Sequence, residues 1–475
     1  MVDTDDRQIG STPSGATAGA VNRAGVDGPQ TTRILSELES LLTEPGCPIC
    51  RHVADAERRF FSWFEIESYT VAEVQAQLRA ATGMCPGHAR RLVEELGEGH
   101  IMTVVMREAL AGARSAVKDN TRIGTCPACA SVASASKRAR SLVLDGVQNP
   151  SVARQYAKHE GICLVHLLDA VPVAGQATLK TLTERLLASL HQAAGAPLVG
   201  LLAGLDADAP RRAMWRERLP SMPTGGSTLE RLADRMKVDA CPVCLATGVG
   251  ARDYLRWFVA HATEGDPSLK TDPGELCATH LHDVALAEPS AASSQAAEHK
   301  RAARIGQLEL FLGSLADLPA PARRGRRNNG DPLDEPRRNL LAAPHCAACH
   351  AREGVERAQR ELIAASLALQ PVRAPYEQSH GLCVRHARAL QDGPTAGFAR
   401  HHTDARLAVL AWEVQETARK YAWAFRHEST GPERDGWLRG LTQIDGRVFE
   451  GGPAPIGGQE VIPRDDEAIG SDWNG

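Results

Sequence analysis

Sixteen residues of this 475-residue chain share one chemistry and one spacing. Four times a C-x2-C pair is followed, after 32–34 residues, by C-x2-H. The first copy has Cys47 and Cys50, then Cys85 and His88. The second has Cys126 and Cys129, then Cys163 and His166. The third has Cys241 and Cys244, then Cys277 and His280. The fourth has Cys346 and Cys349, then Cys383 and His386. All twelve cysteines are used. Two thiolates two residues apart can grip one ion from a tight turn, which proline after the first cysteine stiffens in three copies. The C-x2-H pair adds a third sulfur and an imidazole, so each copy is expected to complete its own tetrahedral Cys3His site. Zinc, four ions in all, is the expected cofactor, because it is redox-silent and accepts three sulfurs and one nitrogen. Four protein ligands leave no position for water, which marks structural rather than hydrolytic sites. Each filled site carries a formal charge of -1, taking the chain from -4 to about -8.

The segments between these pairs read as helix. Val53, Ala56, Phe60 and Phe64 recur at three- and four-residue steps. Thr70-Val-Ala-Glu73 matches a capping box, with Val71, Val74 and Leu78 forming one stripe until Gly83. Pro86 suits a first helical turn, which places His88 in that turn, ahead of Leu92, Val93 and Leu96. A glycine stands two positions before the third cysteine in three copies (Gly83, Gly161, Gly381), whereas the third copy reads Gly274-Glu-Leu-Cys277 after a loop at Gly265-Asp-Pro. Helices also lead into copy one (Ile34 to Leu42) and copy three, where Ser227-Thr-Leu-Glu230 is a second capping box. No strand alternation is evident. The expected fold class is all-α: helical hairpin repeats, each clamped by a Cys3His metal site, in four copies with a hint of two duplicated two-site units.

The expected organisation is a disordered tail over 1–30, metal module 1 over 31–120 and module 2 over 121–206. A linker over 207–226, module 3 over 227–317, an Arg/Pro-rich linker over 318–344 and module 4 over 345–430 follow. A largely disordered C-terminal tail over 431–475 closes the chain. Arg323, Arg324, Arg326, Arg327, Arg337 and Arg338 in the second linker read as incidental solvated charge ahead of an anion-binding patch.

Composition narrows the function. Lys and Arg total 54 against 58 Asp and Glu, which argues against a general grip on nucleic acid. Aromatics are only 4%, so metal sites would offset a thin core. No run reaches the ~20 apolar residues of a membrane span, and the first thirty residues have no signal-peptide pattern. A cytoplasmic location, where thiols stay reduced, is the simplest expectation. The partner expected is protein ahead of nucleic acid, with no membrane. The motifs H-E-x-x-H, G-x-S-x-G, G-x4-G-K-[ST] and G-x-G-x-x-G are all absent, and Glu94-Glu95 and Asp465-Asp466 read as solvated charge, so the reading leans away from an enzyme.

Cys47-Pro-Ile-Cys50 and His380-Gly-Leu-Cys383-Val-Arg-His386 resemble an uncharacterised bacterial family that carries C-P-x-C followed by G-[FL]-C-x-x-H and an apolar helix. Gly161-Ile-Cys163-Leu-Val-His166 and Cys85-Pro-Gly-His88 are close to that ending; Ala347 and Gly274 depart from it without losing a ligand. The resemblance covers most of residues 31–430. It implies that the sixteen positions are metal ligands and implies no activity.

The reading that results is a metal-binding, non-enzymatic scaffold or interaction protein. The alternative is an iron–sulfur cluster protein for electron transfer or redox sensing. A third reading keeps the zinc and makes its thiolates redox-labile. Cys346-Ala-Ala-Cys349-His350 also spells a c-type haem motif, but its cysteines are already allocated. His159 and His380 read as ordinary helix-end residues. Phe60, Phe61, Trp63 and Phe64 read as core packing rather than base stacking.

Overall fold

A computed structural model of the chain describes residues 36–96, 99–207, 209, 226–264, 276–287, 291–318, 331–342 and 346–446. Helices carry the fold, and no strand occurs among the described residues. The first half runs α1 (Pro48–Ile66), α2 (Ala72–Ala80), α3 (Pro86–Leu96), α4 (His100–Lys118), α5 (Pro127–Gly146), α6 (Pro150–Tyr156), α7 (Leu164–Ala170), α8 (Gln176–Gln192) and α9 (Leu198–Ala203). The second begins with α10 (Thr228–Met236), α11 (Pro242–Glu264), α12 (Ala278–Ala287), α13 (Ala291–Ala316) and α14 (Asp334–Leu341). It continues with α15 (Ala347–Ser366), α16 (Gln370–Gln378), α17 (Val384–Arg388), α18 (Pro394–Tyr421) and α19 (Gly436–Asp445).

Each half is organised by one helix pair. α1 packs on α5, and α11 packs on α15. Ile49 and Val53, early in α1, share a core with Ala139 and Val143, late in α5. Phe60, Phe61 and Phe64 share another with Ala128 at the start of α5. The two helices therefore run antiparallel. The second pair crosses closely at Gly250, where an added Cβ would stand 2.8 Å from Val355 Cγ2. The halves also exchange partners: α4 packs on α18, and α8 packs on α13.

Several expectations are corrected. The Thr70 capping box does not form: Val71 is the N-cap of α2, and Thr70 sits in a 3-10 turn with its hydroxyl donating to Glu67 O at 3.2 Å. The Ser227 box does form, with Glu230 N donating to Ser227 Oγ at 3.2 Å. Part of the segment read as an Arg/Pro-rich linker is α14, with Leu333 and Leu340 in the main core and Arg337 donating to Ala174 O at 2.9 Å. Residues 436–445, read as part of a disordered tail, form α19, whose Trp437, Leu438, Leu441 and Ile444 are buried against Met106 and Leu110 of α4. An apolar face repeating at helical spacing suffices to pull this segment in. Arg323, Arg324, Arg326, Arg327, Gly265, Gly274 and most of the 207–226 linker lie outside the described residues.

Candidate metal centres

The structure brings all sixteen candidate ligands together, in groups that cut across the copies. Group I is Cys47, Cys50, Cys163 and His166; group II is Cys85, His88, Cys126 and Cys129. Group III is Cys241, Cys244, Cys383 and His386; group IV is Cys277, His280, Cys346 and Cys349. The expected closure of each copy on itself is not what the fold does. Each C-x2-C instead captures the C-x2-H of its neighbouring copy, and the groups nest, II inside I and IV inside III.

Helix length explains the exchange. Nineteen residues of α1 carry the chain about 28 Å from the first C-x2-C, and the nine residues of α2 bring it only part of the way back. Cys85 and His88 therefore arrive beside Glu57 and Phe61, well down α1. The antiparallel neighbour α5 begins there and presents Cys126 and Cys129. Cys163 and His166, delivered after α5 and α6, reach the start of α1 by the same logic. The sequence spacing could not separate these pairings, because each C-x2-C has a C-x2-H at a suitable distance either way.

Within each group the donors face one centre through the imidazole Nδ1. His166 Nδ1 lies 3.4, 3.3 and 3.3 Å from the sulfurs of Cys47, Cys50 and Cys163. His88 Nδ1 lies 3.2, 3.6 and 3.3 Å from Cys85, Cys126 and Cys129. The values are 3.4, 3.3 and 3.3 Å for His386 with Cys241, Cys244 and Cys383. They are 3.3, 3.2 and 3.5 Å for His280 with Cys277, Cys346 and Cys349. Sulfur pairs stand 3.5 Å apart in group II, 3.7 Å in group I and 3.9 Å in group III. Four donors at ~2.3 Å (S) and ~2.0 Å (N) from one ion stand about 3.8 Å apart between sulfurs and about 3.5 Å between sulfur and nitrogen. The donor sets fit: each group could hold one metal ion.

The charges of the metal-free donors depend strongly on one another. The first cysteine of every C-x2-C is held below the ordinary thiol range. At Cys126 the cause is hydrogen bonding from Cys129 and Cys85; at Cys346 it is chiefly Cys277, which holds it at about 3. At Cys47 and Cys241 burial pushes the other way and the neighbouring thiols and imidazole outweigh it. Cys47, Cys126 and Cys346 are also helix N-caps, where the helix dipole favours a thiolate. Burial disfavours a charged imidazole at His88, yet Cys126, Cys85 and Glu57 push it up to about 11. His166 is pushed up to about 10 and His386 to about 11 by their own cysteines, again against burial.

The second ring nitrogen distinguishes the groups. His88 Nε2 lies 3.3 Å from Glu57 Oε1, and Arg91 holds the other Glu57 oxygen at 2.6 Å. His386 Nε2 lies 3.4 Å from Glu356 Oε1, which also accepts from Arg385 at 2.8 Å. Glu57 and Glu356 each stand seven residues after the second cysteine of their copy, a signal present in the sequence and not used. Such carboxylates orient a ligating imidazole and raise its basicity. Among the described residues, no carboxylate faces Nε2 of His166 or His280.

Groups I and III have a different support. Tyr156 OH accepts the Ile162 N–H, and Tyr376 OH accepts the Leu382 N–H, each at 3.2 Å, just before the third cysteine. Both tyrosines are fully buried and precede that cysteine by seven positions. The intervening Gly161 and Gly381 take φ +85 and +73, conformations an L side chain rarely adopts. Gly446, also at positive φ, lies on group III: a Cβ there would stand 2.4 Å from Cys244 Sγ and 2.9 Å from Cys383 Sγ. In the first half, Gly204 at the end of α9 meets group I through its carbonyl, which accepts from Leu164 N at 3.1 Å.

The bystanders fall outside the groups. His159 bridges Glu44 O (2.8 Å) and Gly161 N (3.0 Å), His380 faces Asp239 at 3.3 Å, and His350 is exposed. Phe60, Phe61 and Phe64 are buried as expected, whereas Trp63 is 47% exposed. A cleft of about 330 Å³ opens between groups II and III, lined by Cys85, Cys126, Ile123, Cys244, His386 and Gly446, among others.

Comparison with protein-family models, with curated proteins and with solved structures returned no match. The resemblance to the bacterial family therefore rests on its motif alone. No helix among the described residues is long and apolar enough to cross a membrane.

Proposed function

We propose that this protein is a non-enzymatic scaffold whose helices are cross-linked by four structural Cys3His zinc sites, presenting a rigid surface to a protein partner in the cytoplasm. The observation that carries this reading is the closed donor set: in each group three sulfurs and one Nδ1 lie within 4.8 Å of one another, with every position supplied by protein. That compactness suits a single ion better than a cluster, whose several metals hold their ligands farther apart. Zinc would supply a Lewis-acidic cross-link. The chain's own residues set its geometry: Glu57 and Glu356 orient two imidazoles, and Tyr156 and Tyr376 fix the turns that deliver Cys163 and Cys383.

Elemental analysis of protein purified without oxygen, with a visible spectrum, tests the reading. About four zinc per chain and no visible absorption is the expected result. Stoichiometric iron with acid-labile sulfide would replace it with the iron–sulfur alternative.

A further inference from the structure

The four groups are not equally protected. All four ligands of group I are buried, and three of the four in group III, where Gly446 also lies on the sulfurs. Group IV has two half-buried ligands, Cys277 and Cys349. Group II has three: Cys85, His88 and Cys129. Cys85 also lines the cleft of about 330 Å³, far more than the ~30 Å³ a water-sized molecule occupies. Its sulfur stands 3.5 Å from that of Cys129; Cys85 immediately precedes α3, and Cys129 lies in the first turn of α5. A disulfide requires closure to about 2.05 Å, a movement of roughly 1.5 Å.

From this we infer that group II is an oxidative modification site, the place where peroxide opens the scaffold, a proposal that rests on the zinc reading above. The Cys85 thiolate attacks one peroxide oxygen; the O–O bond breaks, Cys85 becomes a sulfenic acid and hydroxide leaves. The Cys129 thiolate then attacks the Cys85 sulfur, forming the S–S bond and expelling a second hydroxide. Two thiolates lose one electron each, and hydrogen peroxide takes up both. Cys126 and His88 remain, two ligands where four stood, and zinc departs. Group I, enclosed on all sides, keeps its metal through the same exposure. A dithiol reductant with added zinc restores group II.

The test uses the full-length zinc-loaded chain, titrated with hydrogen peroxide. Released zinc is followed with a colorimetric chelator, and disulfides are located by peptide mapping at each step. The expected first event is release of about one zinc per chain together with a Cys85–Cys129 disulfide, before any disulfide within group I. Ile123→Trp, which fills the cleft from a half-buried lining position that is not itself a ligand, should slow that event several-fold while leaving the starting zinc content unchanged. A first disulfide in another group, or zinc release that does not involve Cys85, overturns the proposal. A starting preparation without zinc overturns the function reading instead, so the two failures are told apart before peroxide is added.

Discussion

Groups I and II contain the same four donor types in the same half of the molecule, yet they are built differently. Group I joins residues up to 119 positions apart, is wholly buried in the main core, and is supported by the Tyr156 hydroxyl and the Gly204 carbonyl. Group II joins residues at most 44 positions apart, lies beside a cleft of about 330 Å³, and is supported by the Glu57 carboxylate. Loop closure alone separates them by only about 1 kcal/mol, since each doubling of a loop costs about 0.6 kcal/mol. What differs is the burial around them. Both groups adjoin cores that the two halves share, but all four ligands of group I are buried, whereas three of group II's are half-buried.

The strongest way to break this contrast is to remove one ligand from each. Cys163→Ser should abolish cooperative folding, because group I lies wholly within the main core and loss of its metal would leave buried polar donors unsatisfied there. Cys85→Ser should keep a melting transition and bind about three metal ions per chain. Circular dichroism melts with metal analysis read both, and equal loss of structure in the two variants would erase the distinction.

Gly446→Ala extends the comparison to the second half. It places a methyl group against two group III sulfurs at positive φ, and about 1–3 kcal/mol of strain is expected as a lower denaturant midpoint and weaker metal retention at that group. Glu57→Gln probes the support that group I lacks: metal affinity at group II should fall about 10–100-fold in a chelator competition, with group I unmoved. The tyrosines give a loss of the same order. Tyr156→Phe or Tyr376→Phe leaves one buried N–H unpaired, a loss of about 1–3 kcal/mol readable by urea unfolding. The same substitution at Tyr69, which supports no group, serves as the neutral control.

The helices and the sixteen ligands were legible because helical spacing and C-x2-C are local patterns. The pairing of ligands was not. Cys50 is followed by Cys85 at a spacing that a self-contained hairpin would also use, and only the antiparallel packing of two long helices shows that Cys163 is its neighbour. Tyr156 and Tyr376 were visible as residues seven before a cysteine, but their role depends on a backbone N–H that no side-chain motif displays. α19 was missed because the Gly- and Asp-rich residues around it suggested a tail, and the apolar face of Trp437, Leu438, Leu441 and Ile444 outweighed them.

The nesting of the groups has a consequence for the growing chain. A ribosome delivers Cys47 and Cys50 first, yet their partner His166 follows 116 positions later. At about 5–20 residues per second, that pair waits roughly 6 to 23 seconds with half a coordination sphere. Group II can close while group I is still waiting, and group IV before group III. Assembly therefore runs from the inner ring outward in each half, and within each half the first cysteines to emerge are the last to be locked.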